Sequence, residues 1–282
     1  MQIKLLLTFG LLFLNIILAA QENSAKVELF PKGRLFQELI FDPNESQAFG
    51  TIAAYWEGGK NTDKLYLPFG MGFYKGFLRW NKKKPFEIGF DFAAQTQFEW
   101  VFENGKSERN ILNSDLKVSV MLHKKISEKH SFRLRFYHVS SHLGDDFIIR
   151  NNIGSYFPNP NNYEQLDFLW SIQNGGARYY GGAGLVVRPE IIRKRVSFQF
   201  GSQYEHFLKT KLPLAFTAGI DVKILEENEF NPGLKTGLGF RLGKKESSPL
   251  RIIAEYYRGN LPYSPFEFKK VQWLGVGLYF MP

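Results

Sequence analysis

From about residue 47 to its end, the chain consists of short segments in which apolar and polar side chains alternate. In the clearest segment, residues 86–100, every second side chain from Phe86 to Trp100 is apolar or small, and the intervening positions include Glu87 and Asp91. A period of two predicts a β-strand with one apolar and one polar face. Repeated segments of roughly ten residues, separated by turn residues, are the pattern of transmembrane barrels.

The alternating segments predict twelve strands, an even number, as bacterial barrels have. The connections alternate between a short and a generally longer set, and a periplasmic N-terminus would place the short set on the periplasmic side. The second strand is the least regular, because Pro68 and three glycines lie within residues 65–80. The predicted strands are residues 47–56, 69–80, 85–101, 111–123, 131–142, 163–173, 177–188, 195–206, 213–224, 233–243, 249–258 and 271–280.

A soluble β-sandwich would also alternate, but two features favour a membrane barrel. Aromatic side chains such as Trp80, Trp100 and Trp170 stand at strand ends, as the interfacial girdles of membrane proteins do. The polar faces carry charges of both signs in mid-strand, Lys117 and Asp167 among them, which suits a wet or ion-paired lumen. We therefore predict an all-β fold, a closed antiparallel transmembrane β-barrel of about twelve strands.

The N-terminus predicts export. Residues 1–20 combine Lys4, an apolar stretch from Leu5 to Leu18 and a small-residue cleavage site at Ala19-Ala20, the pattern of a secretory signal peptide. An uncleaved membrane anchor is the alternative. Residues 21–46 form a periplasmic N-terminal segment that either tucks into the lumen or caps its periplasmic end, and residues 47–282 form the barrel. This organisation predicts a protein of the bacterial outer membrane.

The amino-acid composition excludes several classes of scaffold and binding partner. The chain has no cysteine, which excludes a disulfide scaffold, a cysteine-based zinc site and a lipoprotein anchor. The formal net charge is +9, but the basic residues collect in short turn-like runs such as 82–84 and 193–195 and form no continuous face for nucleic acid. Outer-membrane lipids or lipopolysaccharide are the expected partners.

Two segments resemble a known family. Residues 29–46 (LFPKGRLFQELIFDPNES) are similar to the opening segment of domain-of-unknown-function family 1207, although Gln37-Glu38 stands where that family has a proline pair and Asn44 where it has arginine. Residues 136–151 (FYHVSSHLGDDFIIRN) are similar to the same family's HxSSHLGDE segment. The resemblance implies an outer-membrane barrel and no established activity.

One strand carries candidate chemistry. His138 and Ser140 share the lipid-facing side of strand 131–142, near its extracellular end, where a neutral imidazole could deprotonate the hydroxyl as a lipid ester arrives. This resembles outer membrane phospholipase A and the lipid A deacylase barrel. The resemblance implies Ser140 as nucleophile, His138 as base and Asn152, fourteen residues after His138, as the orienting group.

The same resemblance has departures. Both enzymes have asparagine directly after the serine, whereas Ser141 follows Ser140 here. Asp145 or Asp146 could replace Asn152 as the orienting group, or could bind a divalent cation at the extracellular rim.

Three functions remain open. A His-x-Ser match arises easily by chance, so the sequence favours a non-catalytic structural or envelope-interaction barrel. The alternatives are a hydrolase of lipid acyl esters and a small pore. A lumen-facing His138 and Ser140 would eliminate the hydrolase.

Overall fold

The computed structural model describes residues 26–81, 83–103, 106–153, 162–188, 193–244, 248–263 and 268–280. Twelve antiparallel strands, β2 to β13, form the closed barrel that the alternating pattern predicts, and a short strand, β1, adds to it. No helix in these ranges is long and apolar enough to cross a membrane. The strands are β1 (Lys26–Leu29), β2 (Ala48–Glu57), β3 (Lys60–Asn81), β4 (Phe86–Glu103), β5 (Lys106–Lys125), β6 (His130–Leu143), β7 (Asn162–Asn174), β8 (Ala177–Arg188), β9 (Val196–Phe207), β10 (Leu214–Leu225), β11 (Pro232–Leu242), β12 (Leu250–Asn260) and β13 (Lys270–Phe280).

The barrel closes between its first and last strands. β13 pairs with β2 from Val271 opposite Glu57 to Phe280 opposite Ala48, and every other barrel strand pairs with its neighbours in sequence. β1 pairs with the end of β3, from Leu29 opposite Leu78 to Lys26 opposite Asn81. We call the end of the barrel at which β2 begins the near rim, and the opposite end the far rim.

The two faces of each strand differ sharply in exposure. On β5, Leu116 and Val120 point outward and are 41% and 58% exposed, whereas Lys117 and Ser119 between them point inward and are 5% and 2% exposed. The apolar rows therefore form the outside of the barrel. They do not face each other across a dry core, as they would in a sandwich.

Two strands, β3 and β5, begin several residues before their predicted starts. β3 begins at Lys60 and β5 at Lys106, so the predicted long connections 57–68 and 102–110 are wrong over most of their length. The turn between β2 and β3 needs only Gly58 and Gly59, whose φ values of 58° and 82° suit glycine. These extensions lie at the far rim, beyond the apolar wall. Because no lipid contacts them there, their apolar and polar side chains need not alternate, and the sequence does not mark them as strands.

The segment between β1 and β2 lies inside the barrel, and we call residues 30–47 the plug. Phe36, Leu39 and Phe41 are at most 1% exposed. Side chains of the wall satisfy the plug's backbone, because Gln203 Oε1 accepts from the Ile40 amide at 2.6 Å and Arg178 donates to two plug carbonyls at 2.9 Å. Of the two positions that the sequence left open for this segment, the structure has its residues 30–46 in the lumen.

Ion pairs link the plug to the wall. Arg133 donates to both oxygens of Glu45, at 3.1 and 2.9 Å, and Lys223 lies 2.6 Å from Asp42. Each of the two carboxylates is at most 2% exposed. Buried charges of this kind are stable only when paired, so the plug and the polar faces of the strands require each other.

Candidate functional site

A group of polar side chains interrupts the apolar outer wall near the far rim. On β6 the outward row runs from Leu134 and Phe136 to His138, Ser140 and His142, while the residues between them point inward. His138 and Ser140 therefore face away from the lumen.

The contacts within this row differ from those that the spacing predicts. Ser140 Oγ is hydrogen-bonded to His142 Nε2 at 2.9 Å, two residues further along the strand. His138 Nδ1 is hydrogen-bonded to Glu164 Oε1 at 3.1 Å. Glu164 lies directly opposite His138 on β7, and Asn162 lies directly opposite Ser140. The structure thus brings a carboxylate to His138 and a second imidazole to Ser140.

Asn152, the orienting residue that the spacing implies, lies apart from these contacts. It follows a short helix, α1 (Asp145–Arg150), and its left-handed backbone (φ 51°) lets its amide donate to the Ile149 carbonyl at 3.2 Å. The carboxylate at the imidazole comes instead from the neighbouring strand.

The two aspartates considered for a cation begin α1. Asp146 Oδ2 accepts from the Ile111 amide at 3.0 Å and so ties α1 to β5, whereas Asp145 is exposed. In the described ranges no group of three or more His, Cys, Asp or Glu side chains is arranged to hold a metal ion.

Sequence reasoning missed Glu164. One signal was available, since Glu164 occupies the lipid-facing parity of the predicted strand 163–173, where Leu166 and Phe168 follow it. An acidic residue in such a row is costly unless it has a partner. Identifying that partner required the register between β6 and β7, which the alternation along a single strand does not give.

The His138–Glu164 contact has a chemical consequence. A carboxylate at Nδ1 favours the tautomer with its proton on that nitrogen and leaves a lone pair on Nε2. Side chains two residues apart on one strand face have Cβ atoms about 7 Å apart, and His142 and His138 flank Ser140 on this face, so rotation of the Ser140 side chain would turn its hydroxyl from His142 towards His138. The site therefore has an imidazole oriented by a carboxylate on the same strand face as a hydroxyl.

The polar group extends over neighbouring strands. Ser114 lies opposite His142 on β5, and its hydroxyl is 3.0 Å from that of Thr96 on β4. The Asn162 Oδ1 atom is buried and has no hydrogen-bond partner among the described residues. Directly towards the near rim the wall is apolar again, at Leu116 and Val118.

The interior holds a separate cavity of about 740 Å³, its open mouth included, between the plug tip at Pro43 and Asn44 and the far rim. Charged side chains line it, and two of them form ion pairs: Lys223 with Asp42, and Asp167 with Arg135. The barrel wall separates this cavity from Ser140.

The fold and the two-faced wall define a β-barrel of the outer-membrane type. The model of one protein family, described as "Protein of unknown function (DUF1207)", matches residues 13–281, and the chain belongs to that family. No curated protein matches the sequence.

Solved structures with a similar fold include two outer membrane phospholipases. The Salmonella typhi enzyme, solved as a dimer with bound calcium, matches with a TM-score of 0.57 and 11% identity over 89% of this chain and 94% of its own. Outer membrane phospholipase A from Escherichia coli matches with a TM-score of 0.56 and 11% identity over the same shares. At such low identity the likeness establishes the fold alone.

Proposed function

We propose that this chain is an integral protein of the bacterial outer membrane that hydrolyses acyl esters of lipids on its outer wall. In this proposal the near rim is periplasmic and the far rim extracellular, which puts Ser140 at the depth of the outer leaflet. The observation that supports the proposal is the cluster of a hydroxyl, two imidazoles and a carboxylate on the lipid-facing side of β6 and β7, in which Ser140 is hydrogen-bonded to His142 and His138 to Glu164.

The proposed chemistry proceeds through an acyl-enzyme. His138 Nε2 takes the hydroxyl proton as Ser140 Oγ attacks the ester carbonyl, and Glu164 stabilises the imidazolium that forms. The tetrahedral intermediate then expels the alcohol half of the lipid, which receives the proton from His138. A water molecule, deprotonated by the same imidazole, releases the fatty acid and restores Ser140.

The remaining site residues take supporting roles in the proposal. We assign the orienting role to Glu164 and not to Asn152, because the carboxylate lies 3.1 Å from the imidazole. His142 holds the hydroxyl before substrate arrives. A lipid reaches the site laterally from the membrane, since the side chains face outward. Two outer membrane phospholipases with the same fold support this reaction class.

Hydrolysis by the purified full-length protein tests the proposal. Fatty-acid release from phospholipid and from lipid A is measured in mixed micelles. Ser140→Ala should lower the rate about a thousandfold or more, and Glu164→Gln about a hundredfold. Ser202→Ala, which removes the outward-facing hydroxyl at Ser202 on β9, is the control and should leave the rate unchanged. A rate that is the same in Ser140→Ala as in the wild type overturns the mechanism.

The competing non-catalytic role has a distinct outcome. If the wild type releases no fatty acid from either lipid, the polar group is a headgroup contact of a structural or envelope-interaction barrel. The hydrogen bond between Ser140 and His142, which occupies the hydroxyl, is the observation that fits this alternative.

A further inference from the structure

We infer that Arg188 binds the phosphate of a phosphorylated acyl-ester lipid and so positions that lipid's ester over Ser140. The inference deepens the proposed function and rests on it for catalysis, although lipid binding can be measured without turnover. It begins from the pairing between strands. His138 on β6 lies opposite Glu164 on β7, and Glu164 lies opposite Arg188 on β8.

Arg188 lies at the far-rim edge of the apolar wall. It ends β8 directly after Leu185 and Val187, which point outward and are 50% and 56% exposed. An arginine there keeps its stem against apolar surface and its guanidinium in the headgroup layer. Phosphate is the anion that a planar guanidinium recognises best, through two parallel hydrogen bonds.

The guanidinium is free to take a ligand. Arg188 is exposed and forms no ion pair within the part of the chain that the structure describes. Glu164, opposite it in the ladder, is already hydrogen-bonded to His138.

Two further basic residues lie near Arg188 at this rim. Lys194 and Arg195 are exposed in the connection after β8, and the Arg195 carbonyl accepts from the Val186 amide at 2.8 Å, which holds it beside the strand. The nearby carboxylates are occupied: Glu226 accepts from the amides of Arg195 and Val196, and Glu227 pairs with Arg193.

The spacing suits a single lipid molecule. Two strand spacings, about 10 Å, separate β8 from β6. In a phosphorylated glycerolipid the ester carbonyls lie only a few bonds from the phosphate. A phosphate on Arg188 would therefore leave an ester of the same molecule near Ser140.

Binding to an inactive protein tests the inference. Full-length Ser140→Ala in detergent micelles is titrated with a short-chain phosphoglycerolipid, its phosphate-free diacylglycerol, lipid A and inorganic phosphate. Adding Arg188→Gln should weaken binding of the phosphoglycerolipid or lipid A about tenfold, the effect of losing one charge-assisted contact, and leave diacylglycerol unchanged. The two phosphorylated lipids distinguish a glycerol from a glucosamine backbone, and tight binding of inorganic phosphate would overturn the lipid assignment.

Two variants complete the test. Arg258→Gln removes a matched exposed arginine at the far rim of β12 and should change no affinity. Arg188→Lys keeps the charge and should retain part of the binding. In active protein, Arg188→Gln should raise KM for the phosphorylated lipid and spare kcat.

The outcomes separate the two claims. Unchanged affinity and KM in folded Arg188→Gln overturn the inference, and hydrolysis through Ser140 would still stand. Arg188-dependent lipid binding without any hydrolysis supports the inference as a binding site and overturns the proposed reaction.

Discussion

At the scale of single residues, Glu38 shows how the barrel holds charge inside. Its carboxylate lies 3.4 Å from Arg251 on the wall and 3.9 Å from Arg34 in the plug. Burial alone would raise the pKa of the Glu38 carboxyl, but the two guanidinium groups outweigh it and hold the pKa at about 2, against an ordinary value of 4.5. The ionised form is therefore the one that the fold stabilises.

This shift predicts an acid-dependent part of the stability. Because the folded-state pKa is depressed, the contribution of Glu38 is complete above pH 4.5 and is lost as the pH falls from 4.5 to about 2. Urea unfolding in micelles at several pH values measures it. Wild type should exceed Glu38→Gln in stability at pH 6, and the difference should shrink as the pH approaches 2. A difference that is constant across this range would contradict the assignment.

The residues of the outer site were only partly predictable. Strand parity is a local property, so the outward position of His138 and Ser140 follows from the alternation on β6 alone. The partners depend on pairing between strands: Glu164 meets His138 only because β7 returns in that register after a long connection. The fourteen-residue spacing to Asn152 carries no such information, and α1 intervenes.

At the scale of elements, the plug packs into a recess in the wall at Gly219. The Phe41 ring packs with Ile40, Phe49 and Tyr279, and a Cβ atom at Gly219 on β10 would collide with it. The glycine thus makes room for the ring. The sequence left the position of the plug open, because a short segment with both polar and apolar residues can satisfy its backbone hydrogen bonds in the lumen or at the periplasmic end.

The close fit of the Phe41 ring predicts that removing the ring destabilises the fold. Phe41→Ala should lower the free energy of unfolding by about 3–5 kcal/mol, through lost burial and the cavity that remains. The matched control is Phe30→Ala in the same segment, where the ring is 54% exposed and the cost should be below about 1 kcal/mol. Urea unfolding in micelles compares the two. Equal costs would place the plug outside the barrel.

The strands themselves were predictable wherever one face meets lipid and the other face meets the lumen. On β5 the lipid side demands Leu116 and Val120 and the lumen side accepts Lys117, so the pattern is strict. The extensions of β3 and β5 at the far rim lie beyond the apolar wall, and residues such as Asn61 and Asp63 give no sign of a strand.

At the scale of the whole molecule, the filled lumen bears on the pore hypothesis. Plug side chains and their ion pairs occupy the near half of the barrel, from Phe36 to Glu45. We therefore expect no steady single-channel conductance from wild-type protein in planar bilayers. A stable open level in most insertions would contradict the position of the plug.

The proposed chemistry requires that the outer wall meets hydrocarbon and that Ser140 lies at the extracellular edge of that wall. The chain has no cysteine, so single cysteines can carry nitroxide labels on β5, whose Leu116 stands opposite Ser140. In lipid bilayers, Val118→Cys and Val120→Cys labels should be accessible to oxygen, and Leu116→Cys should lie nearer the headgroups. The Ser119→Cys label should be shielded from oxygen. If a water-soluble relaxant reached the Val118 and Val120 labels as readily as the Leu116 label, that result would contradict the membrane barrel and the lipid chemistry built on it.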